Sequence, residues 1–98
     1  MKNKKTQIIF GLDVEAIGEL GANWLNITFD ICEYLKSKGF QYSRTLGFVN
    51  DRELEEEELK ELSNEVIEIA MGIDCMMYLE AHIIDNVMSF EMEDFTRE

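Results

Sequence analysis

Polar and apolar residues alternate at the start of the chain and then fall into a helical rhythm. Ile8, Phe10, Leu12 and Val14 share one side of residues 6–14, and Gln7, Ile9, Gly11 and Asp13 share the other. A period of two over nine residues predicts a β-strand, and Ile9 on the second side predicts that both faces are covered. Residues 15–22 hold Gly18 and Gly21 and read as a loop or a weak turn of helix. From Asn23 the period lengthens. Trp24, Ile27, Thr28, Ile31 and Leu35 form one helical stripe, widened by Leu25, Phe29 and Cys32. Asn23 suits the N-cap of this helix and Gly39 the C′ position, with Lys36 and Lys38 opposing the dipole in the last turn.

Residues 40–50 place Tyr42, Leu46, Phe48 and Val49 among small and polar residues, which predicts two short strands joined by a tight turn at 43–45. Asn50-Asp51-Arg52-Glu53 has the spacing of a capping box. The helix predicted behind it puts Leu59, Leu62, Val66, Ile69 and Ile73 on one face and ends near Gly72. Residues 73–81 read either as a short helix or as a buried connection. Alternation returns with Met88, Phe90 and Met92 inward and Val87, Ser89 and Glu91 outward, predicting a last strand at 87–92 and a tail at 93–98. The order β-α-β-β-α-β predicts an α+β, ferredoxin-like domain over residues 1–98: a four-stranded antiparallel sheet with two helices on one face. The right-handed crossover rule sets the first and third strands side by side at its centre. Its other face would be bare, with Ile9, Val49 and Val87 as apolar positions, which predicts a homodimer or another partner there.

Composition narrows the class. A chain of 98 residues allows one domain, and 46% hydrophobic residues with 10% aromatics are globular values despite a net charge of −12. Cys32 and Cys75 are too few and too far apart for a disulfide framework. No apolar run approaches the roughly 20 residues that span a bilayer, so no membrane span is expected. The basic start at residues 1–5 resembles that of a signal peptide, but Asp13 and Glu15 interrupt the apolar stretch behind it. The expectation is a soluble cytoplasmic protein with a basic N-terminal arm. Residues 1–50 carry a net charge of +1 and residues 51–98 a net charge of −13. Phosphate affinity comes largely from Lys and Arg, so nucleic-acid contact falls to the arm, Lys36, Lys38 and Arg44.

Asp13 is the candidate catalytic residue. It follows a buried strand, beside Gly11, where crossover connections leave room for ligands. One carboxylate contributes to a Mg²⁺ site only when waters, phosphates or a second carboxylate complete the octahedron, and a symmetric dimer could supply the second. The alternative is that Asp13 caps the turn behind it. His82, the sole imidazole, has no companion at a recognisable spacing, and a structural role suits it better. Cys32 reads as core, and Cys75 lacks a partner for zinc. Glu55, Glu56, Glu57 and Glu58 fan around a helix and cannot converge on one ion, so they read as a solvated face. No phosphate loop, nucleophile elbow, zinc-protease or EF-hand pattern is present.

In this element order the chain resembles the VapD family of small bacterial endoribonucleases, relatives of Cas2. The residues that carry the resemblance are Ile9-Phe10-Gly11-Leu12-Asp13, Lys38-Gly39-Phe40, Phe48-Val49-Asn50 and the run from Ser89 through Phe90, Glu91, Met92, Glu93, Asp94 and Phe95 to Thr96. The resemblance implies a ferredoxin-like homodimer that cleaves RNA, in some cases within a toxin–antitoxin pair, with a carboxylate ending the first strand as catalytic residue. Asp13 is the position onto which that role carries. The chain departs from the family in two places: the family's small polar turn is Arg44-Thr45-Leu46 here, and its basic residues before the final Phe become Asn86 and Met88. The second departure removes positive charge beside a half-chain at −13 and weakens RNA binding, so a degenerate relative that has lost catalysis is the other form of this expectation. A different class of function, a non-enzymatic acidic interaction protein or nucleic-acid mimic, follows from the charge of residues 51–98. There the acidic helix at 53–71 would engage the basic groove of a protein partner.

Overall fold

The computed structural model describes residues 4–84. They form an α+β unit in which one four-stranded antiparallel sheet carries three helices. Strand β1 (Lys5–Leu12) leads through α1 (Val14–Glu19) to α2 (Trp24–Ser37). The hairpin β2 (Phe40–Ser43) and β3 (Gly47–Asn50) follows, then α3 (Glu56–Ile69), a single 3₁₀ turn at Ile73–Cys75, and β4 (Met76–Ile84). Spatial order is β2-β3-β1-β4, so β1 and β3 are neighbours at the centre, as the crossover rule requires. Thr6, Gln7 and Ile8 face Asn50, Val49 and Phe48 across that pairing. Strand β4 runs beside β1 for its whole length, from Lys5 opposite Ile84 to Leu12 opposite Met76, with a bulge between Gly11 and Leu12.

The fourth strand of the described sheet falls mostly in the stretch that had no clear period. It is Met76–Ile84, which begins inside the stretch at 73–81 read as short helix or buried connection and runs three residues past it, while the expected strand at 87–92 and the tail at 93–98 lie outside the described residues. The reason is visible in the burial of β4. It lies at the end of the described sheet, and Met77, Tyr78 and Ile83 stay exposed, so neither face needs a clean apolar repeat. The N-terminal arm is likewise shorter than expected. Lys5 belongs to β1, where its buried ammonium meets the Asp51 carboxylate at 2.7 Å.

One apolar cluster joins Ile8, Phe40 and Phe48 of the sheet to Ile17 of α1, Ile27, Ile31 and Leu35 of α2, and Leu62 and Val66 of α3. Asn23 caps α2 as its sequence position predicted, its Oδ1 accepting from the Leu25 amide at 2.8 Å. The capping box of α3 sits five residues later than the Asn50–Glu53 spacing predicted. Glu55 is the N-cap, and its amide donates to Glu58 Oε1 at 3.1 Å. Leu54 must first reach the core, so residues 51–55 travel outside the helix. Asn50 ends β3 instead, donating to the Lys38 carbonyl and accepting from the Arg52 amide.

Thr6 ties this connection down. Its hydroxyl donates to the Arg52 carbonyl and accepts from the Leu54 amide, both at 2.8 Å, in a fully buried site. Thr6→Val keeps the shape and leaves both backbone groups unpaired, so the expected loss is about 2–3 kcal/mol. Urea unfolding followed by circular dichroism checks it; an unchanged midpoint would remove Thr6 from this role.

The second face of the sheet departs from expectation. Val49 is 1% exposed and Leu46 8% exposed within a single chain, outside the main cluster, and Ile9 is half-buried. The Gln7 side-chain amide donates to the Leu46 carbonyl at 2.6 Å. That face is therefore not bare around Val49. Val87 lies outside the described residues.

Candidate functional site

Sheet geometry opens a groove at one end of the molecule. Strand β3 is four residues long and pairs with β1 only as far as Ile8, whereas β1 continues to Leu12. The step leaves the β3-facing side of residues 9–12 without a strand partner among the described residues. Helix α2 passes over this step, and the space between forms a groove of about 730 Å³. Residues Ile8 to Leu12 line it from the strand, Trp24, Thr28, Phe29 and Cys32 from α2, and Tyr42, Gly47 and Phe48 from the hairpin. Phe10, Phe48 and Tyr42 form a run of rings, with centroids 6.1 Å apart for the first pair and 5.2 Å for the second.

Two glycines shape the groove. Gly47 closes the β2–β3 turn at φ +85°, and a Cβ there would stand 2.6 Å from Ile9 Cγ2. At Gly11 a Cβ would stand 2.5 Å from the Tyr78 ring, so the missing side chain lets that ring lie against β1.

Asp13 comes directly after β1, at its C-terminal end, as the alternation predicted. It is the N-cap of α1: Oδ1 accepts from the Ala16 amide at 3.1 Å, and its own amide donates to the Cys75 carbonyl at 2.8 Å. Asp13 thus caps the turn behind it. Leu12 and Val14, its two chain neighbours, line the groove, and Asp13 itself does not. Among the described residues no group of three His, Cys, Asp or Glu side chains is placed to hold a metal ion. The described residues alone therefore do not complete a Mg²⁺ site at Asp13, because a carboxylate with one oxygen committed to a cap leaves the octahedron to other donors.

The three basic candidates separate. Lys36 and Arg44 both line the groove, together with Glu33. Lys38 lies apart, at the C-cap of α2, with Nζ 5.7 Å from the centre of the Tyr34 ring. His82 is exposed on β4, 3.0 Å from Glu80. Cys32 and Cys75 are free thiols. Burial pushes the Cys32 thiol up, an effect that Lys36 opposes and Glu33 reinforces. Tyr34 is also raised, by burial first and then by Glu65 and Glu61.

Sequence reasoning assigned Trp24 and Phe29 to the helix's core stripe, yet they are 42% and 63% exposed. The signal was the width of that stripe. Eight apolar or near-apolar positions on one helix cover more of its circumference than a single sheet can meet, so the surplus must face something else. No protein family, curated protein or solved structure matches this chain. Among the described residues no helix is long and apolar enough to cross a membrane.

Proposed function

We propose that the chain is a small endoribonuclease of the VapD and Cas2 kind, ferredoxin-like in fold and acting as a homodimer. The observation that carries this reading is the position of Asp13. It follows the last residue of the central strand, and its two chain neighbours line a groove whose walls include Lys36 and Arg44. Strand order supports the fold reading, since β2-β3-β1-β4 with every neighbour antiparallel is what two interleaved βαβ units produce. In the proposed reaction the Asp13 carboxylate accepts a proton from a water that attacks the phosphodiester. The departing ribose oxygen takes its proton from solvent, and Lys36 and Arg44 hold flanking phosphates. A two-fold mate carrying a second Asp13 would add a carboxylate to the Mg²⁺ donors that the described residues supply.

Asn caps a helix about as well as Asp, so Asp13→Asn removes the negative charge and keeps the fold. Cleavage of end-labelled RNA, run with and without Mg²⁺, is expected to fall about 10²–10⁴-fold in this variant, the range of general acid–base contributions. Equal rates in wild type and variant would end the assignment.

A second reading rests on α3. Glu61, Glu65 and Glu68 are all exposed there, with Glu56, Glu57 and Glu58 in the first turn and no basic residue in the last. This face suits an acidic protein that occupies the basic groove of a nucleic-acid-binding partner. Reversing Glu61, Glu65 and Glu68 to Lys should abolish co-purification of such a partner and leave RNA cleavage intact or faster; the opposite pattern would exclude this reading.

A further inference from the structure

Six of the eight aromatic side chains among the described residues line the groove, and four of them, Trp24, Phe29, Tyr42 and Tyr78, keep 42–63% of their surface exposed. The Tyr42 ring is braced from behind. It leans on the buried Phe48, and Phe48 in turn on Phe10, so the exposed ring is fixed at the end of a packed run. Across the groove Trp24, Thr28, Cys32 and Lys36 recur at every fourth residue of α2, one stripe about 18 Å long with an indole at one end and an ammonium at the other. Large rings held half in water suit a ligand that brings flat faces of its own. Granted the nuclease reading of Asp13, on which this rests, we infer that the groove stacks unpaired bases of the RNA substrate on Tyr42 and Trp24. These two rings are then the residues that select single strands.

Every base has a π-face, so an aromatic platform holds a strand without reading its sequence, at about 5- to 150-fold in affinity per base. A duplex hides those faces between its base pairs, and it is too broad for a groove of about 730 Å³, the size of a small-ligand site. Charge adds little. The chain carries −12, and the Lys36 ammonium shares its wall with the Glu33 carboxylate three residues before it. Stacking is therefore the main source of grip. The position also suits turnover, because Leu12 and Val14 flank Asp13 and line the same groove. A base seated there brings the adjoining phosphodiester to the end of β1 that carries the carboxylate.

Trp24 is the single tryptophan, so its fluorescence reports this groove. The experiment titrates the full chain carrying Asp13→Asn, which spares the ligand from cleavage, with a short RNA of mixed sequence, alone and annealed to its complement. The single strand should quench Trp24 and the duplex should not. Tyr42→Ala, a surface change, should weaken binding about 5- to 150-fold, and Tyr42→Phe should bind like the parent, since stacking needs the ring and not the hydroxyl. With Asp13 restored, Tyr42→Ala should raise KM by the same factor and leave kcat unchanged. The slope of log affinity against log salt should be no steeper than about −1.5, the value for two phosphate contacts on a single strand. Equal quenching by strand and duplex, a Tyr42→Ala variant that binds like its parent, or a steeper salt slope overturns the stacking site, while lost cleavage in Asp13→Asn keeps the nuclease reading. The reverse result, stacking with undiminished cleavage in Asp13→Asn, removes the nuclease reading and leaves an RNA-binding groove. A Trp24 shift that follows protein concentration alone overturns the stacking site too and gives the rings to a second copy.

Discussion

Gly47→Ala is expected to destabilise the protein by about 3–4 kcal/mol, combining the cost of a side chain in the left-handed region with a steric conflict. The residue sits at φ +85°, and an added methyl would come within 2.6 Å of Ile9 Cγ2 and 3.0 Å of the Ile8 carbonyl oxygen. The side-chain contact could relax by moving Ile9, but the backbone contact cannot, because Ile8 is held in register opposite Phe48. For a domain of this size each kcal/mol is worth about 4–8 °C, so the melting temperature should fall by more than about 10 °C. Gly18→Ala is the matched control. Gly18 lies within α1 with nothing within 4 Å of the added methyl, and removing a helical glycine should leave stability unchanged or raise it by about 0.5–1 kcal/mol. If the two variants melted together, the account of the β2–β3 turn would be wrong.

The second large effect separates two leucines of α2 that the sequence pattern assigns to one stripe. Leu35 is fully buried in the main cluster, and Leu25 is 58% exposed. Leu35→Ala should cost about 3 kcal/mol, the lost transfer energy of the side chain plus the cavity left behind. Leu25→Ala should cost less than about 0.5 kcal/mol, as a surface change does. Denaturant midpoints for the pair measure the difference directly. Similar losses in both would place α2 on the sheet in another rotation.

These leucines show where the sequence was informative and where it stopped. Period-two alternation located β1 and therefore Asp13, because a strand at the centre of a sheet needs apolar residues on its core side. Asn23 and Gly39 bracketed α2 through capping chemistry, which is local and needs no knowledge of the fold. The rotation of α2 depends on what it packs against, so the exposure of Trp24 and Phe29 could not be read from spacing. Strand β4 escaped for a related reason: a strand at the border of the described sheet is held by the backbone ladder to β1, and ladder bonds leave no residue-type signature. The groove was invisible from the sequence because it arises from a difference in strand length between β1 and β3, which only assembly reveals. Proximity of Lys36 and Arg44 came from the same source, while Lys38, two positions along the helix, was carried away by about half a turn.

The pairing of Lys5 with Ile84 joins residues near opposite extremes of the described chain. Contacts of such separation are the slowest to form, because the intervening chain must give up its freedom before they return any energy. During synthesis β1 therefore waits with one flank unprotected until residue 84 has been made, while the β2–β3 hairpin has already met its neighbour. Nascent chains halted shortly before Met76 should present that flank to chaperones, and release should bring closure in a single late step.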